Sequence, residues 1–290
     1  MHDEIESFDR YLSAVGRSPR TRQSYSESLG QYATWADDPD VGDIDRSSVT
    51  EFVIHLRELG RADGTVSARY AALRSFLKWA AEEEIIDRSP LAGATPPVIR
   101  EKQVNTLSGE QIRSLLDACK GKDFESRRDT AVISLLYDTG ARRAELLGLK
   151  LEDVDNRAGN ANVLGKGSRP RVIAFGHATA VDLDRYLRVR SKHPAAHLPW
   201  LWLGARGRFT ESGLASMLSR RGEKAGVGHI HPHQFRHSFA HSWLAQGGQE
   251  QDLMRLAGWR SRTMLNRYGA SAAGERARNA HRIYSPRDQL

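Results

Sequence analysis

The sequence predicts a mainly α-helical fold with a small β-sheet, split between a helical N-terminal domain and a larger C-terminal domain. Three observations predict it. Apolar residues recur at helical spacing, with capping residues at the segment ends, through the first 90 residues. A stretch rich in proline and small residues, "RSPLAGATPPVIREKQVNT", then interrupts the pattern. Beyond it helical spacing resumes, broken once by two β-type runs flanking Gly165-Lys166-Gly167-Ser168.

In chain order, Ile5, Phe8, Leu12 and Val15 share one helix face. Ser18 is the expected N-cap of "SPRTRQSYSESLGQYATWA", with Pro19 at the first helical position. Ser47 or Ser48 is expected to cap "VTEFVIHLRELG", which stops at Gly60. Thr65 precedes a fourth segment whose Val66, Tyr70, Leu73, Leu77 and Ala80 form one stripe. Asp37, Asp38, Asp40, Asp43 and Asp45 fall in one loop. The boundary is expected near residues 95–105: a helical domain over 1–97, a linker over 98–105 and a second domain over 106–290.

In the second domain, Ser108 and Gln111 form a capping box ahead of Ile112, Leu115 and Leu116. "RRDTAVISLLYDTG" reads as a buried helix ending at Gly140, and a short helix follows within "ARRAELLGLK". "NANVLGKGSRPRVIAF" reads as a hairpin with Lys166 at its turn. From residue 178 onward the pattern is helical, apart from the apolar run "LPWLWLG". Pro232 precedes a helix from about His233 to Ala245, stopped by Gly247-Gly248.

Composition narrows the function. No apolar run approaches a membrane span, and the start "MHDEIESFDR" is acidic, unlike a secretory leader. The single cysteine, Cys119, rules out an intramolecular disulfide framework and fits a reducing compartment, so a cytoplasmic protein is expected. The net charge of +7 is unevenly placed: residues 1–100 carry 12 Lys and Arg against 17 Asp and Glu, the remainder 31 against 19. The basic C-terminal portion fits a polyanionic partner, nucleic acid above all, and equally an ordinary basic surface.

The stretch "HIHPHQFRHSFAHSW" (residues 229–243) holds five of the eleven histidines. Phe235, Phe239 and Trp243 form its core stripe, whereas His233, Arg236 and His237 fall on another side. A zincin reading fails: Gln234 stands where H-E-x-x-H has its glutamate, no carboxylate lies in the stretch, and Arg236 would repel a cation. No metal site is expected. His229, His231 and His241 read as helix and loop support. His233 with Arg236 reads as an anion clamp, a guanidinium fork beside a titratable ring. Other anion-binding groups lie elsewhere: Arg142 follows the helix break at Thr139-Gly140, with Glu145 three residues on to orient a guanidinium, and Lys166 sits on the hairpin tip. "LAGWRSRTMLNRYGAS" carries Trp259 and, nine residues later, Tyr268.

These motifs, in this order, resemble those of the tyrosine recombinases, the lambda-integrase family. The resemblance runs from "TLSGEQIRSLLDAC" to the last helix, and the N-terminal helices resemble the family's core-binding domain. It implies a four-helix, SAM-like core-binding domain and an α+β catalytic domain that together form a C-shaped clamp on DNA. Arg142 in "TGAR", Lys166 in "GKG", His233 and Arg236 in "HQFR", and Tyr268 match the catalytic positions, with Tyr268 as the nucleophile. Glu145 matches a supporting acidic residue, and His237 is expected to support the site too. Trp259 stands where histidine is more usual; its indole donates through Nε1–H and cannot shuttle a proton.

The implied reaction cleaves and rejoins DNA through a 3′-phosphotyrosine, without cofactor. The implied partners are double-stranded DNA bearing specific recombination sites, further copies of the chain in a tetramer, and an accessory or directionality factor. Arg17, Arg20, Arg22, Arg69, Arg74, Lys78, Arg143, Arg169 and Arg171 are candidates for phosphate contact, though solvated faces account for them equally well. Trp259 points to a small integrase of a phage or mobile element; a Xer-like resolvase of chromosome or plasmid dimers is the alternative. A type IB topoisomerase and a non-catalytic DNA-binding module are further readings. The helical N-terminal unit and the segment after Tyr268 argue against the first, and the complete set of candidate residues against the second.

Overall fold

The computed structural model describes residues 1–99, 105–165, 169–259, 261, 265, 274, 277–278 and 280–289. Lys166 and Tyr268 lie outside them. The chain forms two compact units, Met1–Lys102 and Gln103–Leu290.

The first unit packs four helices: α1 (His2–Ala14), α2 (Pro19–Trp35), α3 (Arg46–Glu58) and α4 (Asp63–Glu82). The expected α4 stripe of Val66, Tyr70, Leu73, Leu77 and Ala80 is buried throughout. Phe8 of α1 meets it with its ring 5.5 Å from Phe76, edge to face, and 5.2 Å from Trp79. Ser18 caps α2 by accepting from the Thr21 N–H at 3.2 Å. Three local expectations are corrected. Val15 lies beyond the last turn of α1 and is exposed. α3 is capped by Asp45, whose carboxylate accepts from the Ser48 N–H at 2.7 Å, while the Ser48 hydroxyl accepts from the Asp45 N–H at 3.2 Å. A carboxylate also suits the positive helix N-terminus better than a hydroxyl does. α4 begins at Asp63, two residues before Thr65.

In the second unit, α5 (Gly109–Ala118) starts with the predicted Ser108–Gln111 capping box. α6 (Phe124–Thr139) is the central helix, its Ala131, Val132, Ile133, Leu135 and Leu136 all buried. α7 (Arg143–Gly148) leads to an antiparallel sheet in the order β1 (Val154–Asp155), β2 (Asn160–Gly165), β3 (Arg169–Ala174). Pairing of Val163 with Arg171 and Ala161 with Ile173 places these four residues on the inner face. α8 (His177–Arg190) packs on α6. The run "LPWLWLG" contributes to a second ribbon, β4 (Leu203–Gly204) with β5 (Gly207–Arg208), which the sequence pattern does not reveal. α9 (Glu211–Lys224), α10 (Pro232–Ala245) and α11 (Glu250–Ala257) complete the described part. α10 begins one residue earlier than expected, with Pro232 at its first position.

A buried ionic knot fastens α6 to α9. Asp129, fully buried, accepts from Arg128 at 2.7 Å and from Arg221 at 2.8 and 2.9 Å, and Arg221 also donates to the Ala118 carbonyl at 2.8 Å. Removing the carboxylate leaves two buried cations without a counter-charge. Asp129→Ala should therefore lower the unfolding free energy by about 3–5 kcal/mol, read from urea denaturation. A loss below 1 kcal/mol, the range of exposed ion pairs, would contradict the account.

Candidate active site

The site is assembled where two helix ends meet. α6 ends at Gly140 in the left-handed conformation, φ 57°. A side chain there would put its Cβ 2.6 Å from Cδ1 of Phe239, so glycine is what lets α10 approach this end. α11 ends the same way at Gly258, φ 64°. The last turn of any α-helix leaves carbonyls without intrahelical donors and carries the negative end of the macrodipole. Here those carbonyls collect arginines.

Arg236, one turn into α10 and 3% exposed, donates Nη1–H to the Gly140 carbonyl at 2.8 Å and Nη2–H to the Ala257 carbonyl at 2.6 Å. Arg142, the residue that opens α7, donates Nη2–H to the next carbonyl, Gly258, at 3.2 Å. Arg171 of β3 donates Nη1–H to the carbonyl before them, Leu256. Three successive carbonyls thus receive guanidiniums from three separate elements.

Glu145 ties two of these guanidiniums together. Its buried carboxylate accepts from the Arg142 backbone N–H and from Arg142 Nη1–H, both at 2.7 Å, and from Arg171 Nη2–H at 2.7 Å. Burial raises the Glu145 pKa, but the bonds to Arg171 and Arg142 outweigh it and hold the pKa below the ordinary 4.5. The sign for stability follows: these ion pairs contribute fully above the unfolded-state value and are lost as pH falls through the depressed one. The Arg142 side chain remains 34% exposed, so its guanidinium is oriented yet reachable.

Trp259, directly after Gly258, is 6% exposed and lays its ring 5.3 Å from the Arg236 guanidinium carbon. The indole therefore packs over Arg236 as a wall. His233, three residues before Arg236, is exposed. Partial desolvation of its ring, then the charges of Arg236, Arg143 and Arg142, lower its pKa from the ordinary 6.5. At neutral pH the imidazole is uncharged and able to accept a proton.

Arg142, Glu145, His233, Arg236 and Trp259 are thus gathered in one place from α7, α10 and the end of α11. His237 lies partly buried on α10. His231 stands at the N-terminus of α10, where its backbone N–H donates to the Gln234 side chain at 2.7 Å, with the His229 ring 4.3 Å away edge to face. Among the described residues, no three His, Cys, Asp or Glu side chains gather as a metal ligand set would.

The remaining basic candidates divide. Arg17, Arg20, Arg74 and Lys78 are exposed on the first unit, Lys78 paired with Glu82 at 3.2 Å. Arg22 is engaged by Asp9 and Ser13, and Arg69 by Gln31 and Ser28. Arg143 is half-buried and pairs with Glu211 at 2.9 Å. Arg169 opens β3. Arg171 differs from the expectation of an outward phosphate contact, because its guanidinium points into the site. The period-2 pattern carries the signal: Arg171 stands two residues before the inward-facing Ile173.

The family model described as the phage integrase family matches residues 105–275, and that of the phage integrase N-terminal SAM-like domain matches residues 5–84. Tyrosine recombinase XerC of Corynebacterium efficiens is 30% identical over 290 residues, covering 99% of this chain and 92% of that protein. Tyrosine recombinase XerA of Thermococcus kodakarensis is 29% identical over 258 residues, covering 89% and 86%. Among solved structures, XerH site-specific recombinase bound to palindromic difH substrate superposes with a TM-score of 0.76 at 18% identity, covering 90% of this chain and 79% of that one. The Tn1549 transposon integrase in complex with transposon right end DNA gives 0.76 at 18%, covering 97% and 99%. Both structural likenesses establish the fold.

Gly258→Ala tests the arginine cluster. The new Cβ would lie 3.0 Å from Cδ and Nε of Arg171 on a left-handed backbone. A stability loss of about 1–2 kcal/mol from the backbone alone is expected, together with displacement of the Arg171 Nε–Hε NMR resonance. An unmoved resonance would mean that Arg171 is not seated on this helix end.

Proposed function

The chain belongs to the phage integrase family as a tyrosine recombinase, an enzyme that cleaves and rejoins DNA, and we propose that within it the protein is an Xer-type recombinase that resolves circular DNA dimers at a short specific site. Trp259 points from the sequence toward a mobile-element integrase. Against that single residue stand relatives named Xer that match at 30% identity across 99% of the chain. Transposon and phage integrases share the fold, which by itself does not separate the two roles.

The Xer role rests on those relatives; the observation that supports the chemistry is the convergence of Arg142 and Arg236 on neighbouring carbonyls beside His233. Two fixed guanidiniums next to a neutral imidazole suit a phosphodiester that gains charge as it is attacked. In the reaction, the Tyr268 phenol oxygen attacks the scissile phosphorus, and its proton passes to His233. The bond from phosphorus to the 5′-oxygen breaks, leaving a 3′-phosphotyrosine, and Lys166 supplies the proton that the departing 5′-oxygen takes up. Arg142 and Arg236 hold the non-bridging oxygens throughout. The covalent link conserves the phosphodiester, so a 5′-hydroxyl from a partner strand reverses the step and completes the exchange.

The duplex is held through its phosphates, by exposed Arg17, Arg20 and Arg74 on the first unit and half-buried Arg143 on the second; such contacts position a protein without specifying bases. Exchange between two sites requires four protomers. Ile283 and Tyr284, 68% and 71% exposed near the end of the chain, are suited to docking on a neighbouring copy.

A nicked suicide duplex bearing a dif-type core sequence tests the function. The wild-type chain should form a covalent protein–DNA adduct, and Tyr268→Phe should bind the duplex without forming one. An adduct that persists in Tyr268→Phe would remove the nucleophile assignment. An adduct on transposon-end or phage-core duplexes, with none on dif-type DNA, would replace the Xer role with the integrase role.

The pH profile is a second test. Because the His233 pKa is depressed in the DNA-free protein, kcat/KM for cleavage, measured at low duplex concentration, should stay level as pH is lowered through 6.5 and fall only below it. The free-protein value is read from the NMR titration of the His233 ring without DNA, and a midpoint there at or above 6.5 would show that the arginines do not suppress its protonation.

A further inference from the structure

Arg171 has no part in the reaction described so far. Its guanidinium is 13% exposed, and each of its nitrogens donates inward: Nε–H to Glu145 Oε1 at 3.4 Å, Nη2–H to Glu145 Oε2 at 2.7 Å, and Nη1–H to the Leu256 carbonyl. Nε, Nη1 and Nη2 of Arg171 are thus all engaged by Glu145 and the end of α11.

The geometry points to Arg171 as a positioning residue that holds Glu145 and the C-terminal end of α11 in place, and through them sets the orientation and the net charge of Arg142. The inference rests on Arg142 acting on the scissile phosphate. The physical need is clear from Glu145. A buried carboxylate facing Arg142 alone would close on it as a neutralising ion pair. Arg171 takes a share of the same carboxylate, so the three groups together keep one net positive charge, and it falls on Arg142, the more exposed of the two guanidiniums. Arg171 also bonds the carbonyl two residues before the one that Arg142 uses, so the same guanidinium fixes both supports of Arg142. Arg171 stands on β3, five residues beyond Lys166 in the chain, and ties that strand to the arginine cluster.

Lysine cannot replace it in full. An ammonium is a point charge and lacks the planar fork that serves two acceptors in fixed directions. Arg171→Met removes charge and fork together; Arg171→Lys keeps the charge.

The experiment compares wild type with Arg171→Lys, Arg171→Met and Arg142→Lys, using duplexes recovered from a random library by covalent capture on the wild-type chain. Single-turnover cleavage at saturating duplex and equilibrium binding are both measured. In Arg171→Met, cleavage should fall about tenfold to a hundredfold while binding stays within about twofold. Arg171→Lys should cleave at a rate between the two. Wild-type cleavage in either variant overturns the inference. So does weakened binding with a reduced salt dependence, the mark of a lost phosphate contact. If Arg142→Lys cleaves normally, the reading of Arg142 fails, and Arg171 is then judged on a measurement that needs no DNA. That measurement is the 13C titration of the Glu145 carboxyl, assigned against Glu145→Gln. The titration should move to higher pH in Arg171→Met and in Arg171→Lys, and an unmoved titration overturns the inference.

Discussion

The site depends on one constraint: the carbonyls at the C-terminal end of α11 must be given donors. A helix that stops leaves its last carbonyls facing outward with the macrodipole's negative end behind them. At a surface, water answers that need. Here the end is brought against α10, β3 and the start of α7, and guanidiniums answer it instead, Arg171 on Leu256, Arg236 on Ala257 and Arg142 on Gly258. Much else is shaped to allow this. Gly258 turns the chain in the left-handed conformation beside the Arg171 side chain, and Gly140 clears the space that Phe239 occupies as α10 closes in.

Carbonyls serve better than carboxylates for this purpose. A guanidinium held by carboxylates has its direction fixed and its charge cancelled. One held by carbonyls keeps its full charge and loses only its freedom to rotate. Arg142 and Arg171 share one carboxylate, Glu145, whereas Arg236 is held on the Gly140 and Ala257 carbonyls. The cluster keeps positive charge while every described contact in it is directional, which is the preorganisation that a phosphate transition state rewards. Arg190, elsewhere in the unit, shows that the fold can hold a buried guanidinium on carbonyls alone: it donates to Leu198 and Trp200 at 2.7 Å and to Leu201 at 3.0 Å.

Elements whose signal is local were legible in the sequence. The Ser18 and Ser108 caps, the buried α6 stopped by Gly140 and the β2–β3 pairing all depend on neighbours a few residues away. Local competition explains the misses. Asp45 displaced Ser47 and Ser48 as a cap because a carboxylate answers a helix N-terminus more strongly than a hydroxyl. The β4–β5 ribbon escaped because its strands are two residues each, too short for any period to register. At the site, Arg142, His233 and Arg236 stood out by motif. Arg171 did not, because its role is set by the Leu256 carbonyl, 85 residues away in the chain. A carbonyl carries no residue identity for a motif to display.

The placement of His233 completes the logic of the cluster. Partial desolvation, then the charges of Arg236, Arg143 and Arg142, disfavour the protonated imidazole and lower its pKa. A neutral ring is ready to accept a proton but is a weak base while those charges stand uncompensated. In the proposed reaction, a phosphodiester held between Arg142 and Arg236 brings negative charge into the same space, and attack by a phenol adds more. Each increment offsets the field that suppresses His233, so its proton affinity rises on binding and rises again as the transition state forms. The base is strengthened by the charge it helps to create. That coupling requires the arginines to be fixed, because a guanidinium free to swing away would follow the phosphate and leave the field at His233 undefined. Anchoring on the ends of α6 and α11 thus serves the base as much as the phosphate.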